Sequence, residues 1–252
     1  MGKSELQERV THFATNGAVS LKKLAVFVFC ITLGVVIALG VVINASGKKK
    51  IYIFIEGATF YAYYTEEALG NNIENSVSTQ KQSGGAGYPY GEKQSKYICA
   101  FLYKSQKDAN SVMDANYKEH PQGGVVEITT TKLSKRAKKI MNSTENYLLL
   151  FHFFEDCFNE CHNLSISWDN ASLTEAKLLS TVLLLLNKAN EICEKFETTD
   201  DLCAPIELLG FEIKEFMTKT TSKVERSSGV KLLCFKIIEL FNIAAEILNN
   251  RN

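Results

Sequence analysis

The chain has 252 residues, 46% apolar and 22% charged, an ordinary globular composition with room for a sizeable core. Its 28 basic and 28 acidic side chains cancel, which excludes the uniformly basic body of a nucleic-acid binder. The cancellation hides a split: net +5 over residues 1–50, −3 over 51–131, +5 over 132–139 and −7 over 140–252.

Residues 1–23 form a short polar tail. From Leu24 to Ile43 the sequence LAVFVFCITLGVVIALGVVI carries no charge. At about 1.5 Å of helix rise per residue, such a run matches a bilayer hydrocarbon core roughly 30 Å thick. It predicts a transmembrane helix over 24–45, flanked by Lys22 and Lys23 before it and Lys48 to Lys50 after it. A cleaved signal peptide would have a shorter apolar region, and a core helix would show a polar stripe; this run shows neither feature. The flanking lysines are too evenly balanced to orient the span.

Residues 51–131 read as a small α/β unit. Ile51, Ile53 and Ile55 alternate with Tyr52, Phe54 and Glu56 at strand period. Thr65 to Val77 predicts a short helix. Gly84-Gly85-Ala86-Gly87 fits neither phosphate-loop template and reads as a turn into a strand at Tyr88-Pro89-Tyr90. Tyr97 to Tyr103 is a second aromatic strand. Ser105 with Asp108 three residues on predicts a helix start, and Val125 to Thr130 a last strand. The order is β-α-β-β-α-β, the ferredoxin-like pattern. Two helices on one side of such a sheet leave the other open. Tyr88, Tyr90, Tyr97 and Phe101 are assigned to that open side, as flat rings for sugars or bases. The same rings are also what a sheet covered by the C-terminal helices would carry.

The stretch GGAGYPY followed by KYICAFLYKSQKDANSV resembles the sporulation-related repeat (SPOR) domain of Firmicutes membrane proteins. IEGATF, Ile55 to Phe60, is similar to the end of that family's first strand. The glutamine often found in that strand is absent, and Tyr61 to Tyr64 stand where the family begins its first helix. The resemblance covers about 80 residues. It implies a βαββαβ fold and binding of peptidoglycan glycan strands through the sheet, with Tyr88, Tyr90, Tyr97 and Phe101 as glycan-binding candidates. It also implies a single-pass protein in the cell membrane, N-terminus cytoplasmic and body outside, acting in division or sporulation.

KLSKRAKK, residues 132–139, reads as a basic linker. Residues 140–252 are helical throughout. Tyr147, Phe151, Phe154, Phe158 and Cys161 repeat at 4-3-4-3, and Ser172 to Glu175 looks like a capping box for a second helix. Ile206 to Phe216 marks a third, and Val230 to Ile247, after Ser227-Ser228-Gly229, a fourth. The expected fold class is therefore α+β: a transmembrane helix, a ferredoxin-like SPOR-like domain, and a C-terminal four-helix bundle or paired helical hairpins.

Seven cysteines show no zinc-type spacing and read as small core residues, with Cys193 and Cys203 close enough in sequence to pair in an oxidising compartment. His152 and Glu155 at i, i+3 are a lone metal-like pair. No nucleophile–base pair stands out, so no catalytic residue, metal or cofactor is expected. The expected function is a membrane-anchored, non-enzymatic binder of peptidoglycan glycan strands, with no nucleic-acid partner. The alternative is a tethered scaffold whose helical part binds a protein, the SPOR-like unit serving as a spacer.

Overall fold

The computed structural model describes residues 54–91, 95–197 and 200–251. A turn at Glu56-Gly57, with Gly57 at φ 63°, opens the α/β region. It is pinned by Thr130, whose hydroxyl donates to the Ile55 carbonyl and accepts the Ala58 N–H at 2.9 Å. Strand β1, Thr59–Leu69, follows. The helix expected from Thr65 is thus strand as far as Leu69. The composition of residues 65–69, Thr-Glu-Glu-Ala-Leu, does not ask for a strand; pairing along β3 secures it, with Glu67 opposite Tyr97, Ala68 opposite Lys96 and Leu69 opposite Ser95. Helix α1 spans Ile73–Gln82, β2 Tyr88–Tyr90, β3 Ser95–Tyr103, α2 Gln106–Asn116 and β4 Gly124–Thr129. Ser105 caps α2 by accepting the Asp108 N–H.

The four strands form one sheet in the order β2-β3-β1-β4, each neighbouring pair antiparallel. Helices α1 and α2 cover one face. There Thr65 donates to Gln80 of α1 at 2.6 Å, both side chains buried, and Ala109 of α2 is fully buried. Period-2 alternation does not run the length of β3. Tyr63 pairs with Phe101 but Tyr64 with Cys99, so one extra residue of β3 is accommodated. The shift lets Cys99 and Leu102, of opposite parity, join one core.

Beyond the sheet lie α3 (Lys135–Ser143), α4 (Glu145–Asp169), α5 (Glu175–Cys193), α6 (Cys203–Lys219) and α7 (Lys223–Asn250). The centre of the core is α4 with α7. Phe151 and Phe154 set their rings edge-on to Phe241 at 5.6 and 6.2 Å, and Phe60 of β1 meets Phe158 at 5.0 Å. Each such ring taken from water stabilises the fold by roughly 1.5–3 kcal/mol. Helices α5 and α6 form an outer hairpin, with Gly210 opposite Leu186 and Asn190.

The expected fold class needs correction. The described residues form an α+β unit with seven α-helices and one four-stranded antiparallel sheet. None of these helices is long and apolar enough to cross a membrane. The predicted span at 24–45 lies outside the described residues, as do the tail 1–23 and Ile51 to Ile53. Nor is the C-terminal part a separate four-helix bundle or pair of hairpins. Five helices are present, two of them buried against the sheet, and Ile51–Asn252 is one compact unit. The reason lies in α4 and α7, which are apolar on more than one side and need two neighbours to bury them. The expected linker 132–139 is equally tied down. Thr131 N–H donates to Asn242, Ser134 N–H to Asn249, Asn249 donates to the Lys132 carbonyl, and Lys138 pairs with Glu56 at 2.9 Å.

Candidate functional site: the cleft between β2 and α7

The face expected to be open is covered. Phe101 is 9% exposed, stacked on His162 of α4 at 5.3 Å, with the Lys231 ammonium 5.9 Å from its ring. Tyr97 turns to Tyr64, ring centres 4.6 Å apart. Tyr88 stacks on Phe235 of α7 at 4.6 Å and 15°, and its hydroxyl points to Glu239 at 3.5 Å. Burial, and then the neighbouring Glu239 carboxylate, push the Tyr88 phenol above its ordinary range. The four candidates therefore do not share an open platform, and the correction has a plain cause: α4 and α7 need the same apolar surface.

Two of the four stay together at an opening. Tyr88 and Tyr90, on the edge strand β2, line a cleft of about 270 Å³ whose other wall is α7, with Glu239, Asn242, Ile243 and Glu246. These α7 residues recur at helical spacing, so one stripe of the helix faces the strand. Asn242 accepts the Thr131 N–H at 2.8 Å, which leaves its amide NH₂ as a donor. Glu239 also accepts from Lys236 at 3.1 Å. Aromatic rings, an amide and carboxylates around a small cleft suit a polyhydroxylated ring. Tyr90 would offer a ring to its C–H face, Tyr88 being stacked on Phe235, and the polar groups would meet its hydroxyls.

The α7 wall escaped the sequence reading, which followed only the stripe Val230, Leu233, Ile237, Leu240, Ala244 and Ile247. Phe235 and Ile238 form a second apolar stripe beside it, and that doubling was the available signal. The glycine-rich turn has a role of its own. The Gly84 carbonyl accepts from Ser227 at 3.1 Å and from Lys231 at 2.8 Å, and Asp169 joins both of those side chains. The turn into β2 is in this way fastened to the ends of α4 and α7.

The other sequence candidates do not converge. His152 and Glu155 are 3.9 Å apart, but among the described residues no group of three or more His, Cys, Asp or Glu is placed to hold a metal ion. Cys157, Cys161 and Cys234 are fully buried; hydrogen bonding to Cys161 and then burial raise Cys157, and burial raises Cys234. Burial and the adjacent Cys203 push the Cys193 thiol up to about 12. Both Cys193 and Cys203 are free thiols here.

No protein-family model, curated protein or solved structure matches the chain.

Proposed function

We propose that this protein is a non-enzymatic cell-wall binder, held at the cell membrane through residues 24–45, that takes a peptidoglycan glycan strand in the β2–α7 cleft. The observation that carries the reading is the convergence of Tyr88 and Tyr90 with Asn242 and Glu246 on one opening. The resemblance of GGAGYPY and its flanking strand to the SPOR domain supports the ligand class. The uncharged Leu24–Ile43 run supports the membrane location, with the N-terminus cytoplasmic and the body outside. Tethering raises the local concentration of wall, so a one-sugar grip is sufficient. A body of net acidic charge disfavours a nucleic-acid partner.

The test is co-sedimentation of the full-length chain with amidase-treated sacculi. The wild type is expected in the pellet, and Tyr90→Ala and Asn242→Ala are each expected to bind about tenfold more weakly, as for loss of a central contact. Absence of the folded wild type from the pellet would rule the reading out.

A second reading rests on a different surface. Leu183 and Leu184 of α5 and Leu208 and Phe211 of α6 are between 45% and 65% exposed on the outer hairpin. Such side chains suit a protein partner, in keeping with a scaffold role. A photo-crosslinker at position 184 or 211 that traps a discrete partner in cells, with sacculus binding absent, would favour it.

A further inference from the structure

Away from the β2–α7 cleft, the first turns of α7 diverge from α1 and α6 and leave a larger cavity of about 510 Å³. Its floor is apolar, Phe216 of α6 with Leu232 and Leu233 of α7, and Val224, 44% exposed, stands at the mouth. The floor exists because position 229 is glycine. A Cβ there would stand 2.6 Å from the Phe216 ring, so any side chain would push α7 away. The rim is acidic. Glu74 of α1, Glu212 and Glu215 of α6, and Glu225 of α7 surround the opening, against two lysines, Lys81 and Lys219.

The charges are not equally available. Lys219 is engaged by Glu215 on its own helix, and Glu212 lies 3.8 Å from Lys236. Glu225 is held ionised, down to about 2, by the backbone N–H groups of Ser222 and Thr221 that it caps. Among the described residues neither Glu74 nor Lys81 has an ion-pair partner and both are exposed at the mouth, so the acidic excess of the rim is that of four glutamates over two lysines. The volume falls within the roughly 300–1,000 Å³ of small-molecule sites. An apolar floor under a rim with more carboxylates than amines selects for a flat hydrophobic body carrying a positive charge.

We infer that the α1–α6–α7 cavity is a second binding site, independent of the glycan cleft, for a small organic cation with an aromatic or alkyl body. Tryptamine is the probe, titrated against the purified full-length chain by calorimetry, beside its neutral relative 3-ethylindole and the anionic indole-3-propionate. Tryptamine is expected to bind saturably and roughly tenfold tighter than the neutral compound, with the anion weakest, as electrostatic complementarity requires. Two substitutions at exposed positions locate the site. Val224→Trp closes the mouth and abolishes binding. Glu74→Lys weakens it by about threefold or more, the order expected for one exposed charge. Binding of all three indoles alike, no saturable binding of tryptamine, or binding untouched by both substitutions would each overturn the assignment. Sacculus binding is unchanged in both variants, so this site and the wall-binding cleft fail or stand separately.

Discussion

His162 is the residue whose chemistry is most altered by the fold. It is 6% exposed, sandwiched between Phe101 and Phe158 at 5.3 and 5.8 Å, with no hydrogen-bond partner at Nδ1. Burial holds its pKa below the ordinary 6.5, against a smaller opposing pull from the Leu102 backbone. The folded chain therefore takes up this proton less readily than the unfolded chain. The stability it contributes is complete above pH 6.5 and is lost as pH falls from there towards the lower folded value, at up to about 1.4 kcal/mol per pH unit. Urea midpoints at pH 7.5 and 5.5 are expected to differ in the wild type and to converge in His162→Phe, which keeps a flat ring between its neighbours. An identical difference in both proteins would place the proton elsewhere. The carboxyls of Asp200 and Glu225, held below their ordinary values, titrate under this window and do not interfere. Gly229 supplies a second residue-scale prediction. Alanine is favoured by about 1 kcal/mol over glycine inside a helix. Here the added Cβ would meet Phe216 at 2.6 Å and Thr220 at 3.0 Å, and Phe216 is 5% exposed and cannot swing aside. Overpacking of 1–3 kcal/mol wins. Gly229→Ala is expected to lower the melting temperature by a few degrees, readable by circular dichroism. From sequence, Ser227-Ser228-Gly229 reads as the break before a helix. In the structure α7 starts about two turns earlier, at Lys223 after the Ser222–Glu225 capping box, and the glycine is interior. A glycine that breaks a helix and one that admits a neighbouring ring are the same letter.

At the scale of elements, α4 decides what the sheet presents. Its 4-3-4-3 stripe was legible, from Tyr147 through Phe151, Phe154 and Phe158 to Cys161. So was the order of strands and helices in the α/β region, although the first strand is Thr59–Leu69 and not the alternating stretch Ile51 to Glu56, and so was the cap at Ser105. What the stripe does not state is how many sides of the helix are buried. Leu150, Phe153, Cys157 and Leu164 are 6% exposed or less, so α4 is covered on the flank beside that stripe as well. Period alone registers one face well and a second face poorly, because two adjacent stripes blur the alternation. The aromatic strand residues were likewise legible as a set, yet their partners come from three different elements, Tyr64 of β1 for Tyr97, His162 of α4 for Phe101 and Phe235 of α7 for Tyr88, and no local pattern encodes those distances. The joint can be probed at Phe158, fully buried between β1 and α4. Phe158→Ala is expected to cost about 3–5 kcal/mol, a transfer loss plus a cavity that the flanking Phe60 and His162 cannot fill. In native-state hydrogen exchange, the β1 amides around Phe60 and Ala62 should lose protection together with those of α4. Loss confined to α4 would mean the helix and sheet are not one packed element.

At the scale of the whole described body, residues 54–251, sheet and helices share one core, and that changes what any binding experiment can mean. The sheet buries Phe60, Ala62, Cys99, Leu102 and Ile128 in the same core as α4 and α7. A fragment ending near residue 131 would expose all of them at once, on a face of a four-stranded sheet with no other cover. Such a fragment is expected to aggregate, so the proposed wall binding has to be measured on the intact chain. The unfolding transition tests this directly. Trp168 is the only tryptophan, 6% exposed, its indole N–H donating to the Lys223 carbonyl at 3.0 Å, so its fluorescence reports the α4–α7 contact. Amide exchange in β1 and β3 reports the sheet. If the layers share one core, the two probes give the same denaturant midpoint, and calorimetry gives a single transition whose van't Hoff and calorimetric enthalpies agree. Sheet protection that survives after the Trp168 signal has changed would divide the body in two. It would return the helical region to the status of a separate domain and reopen the sheet face to ligands.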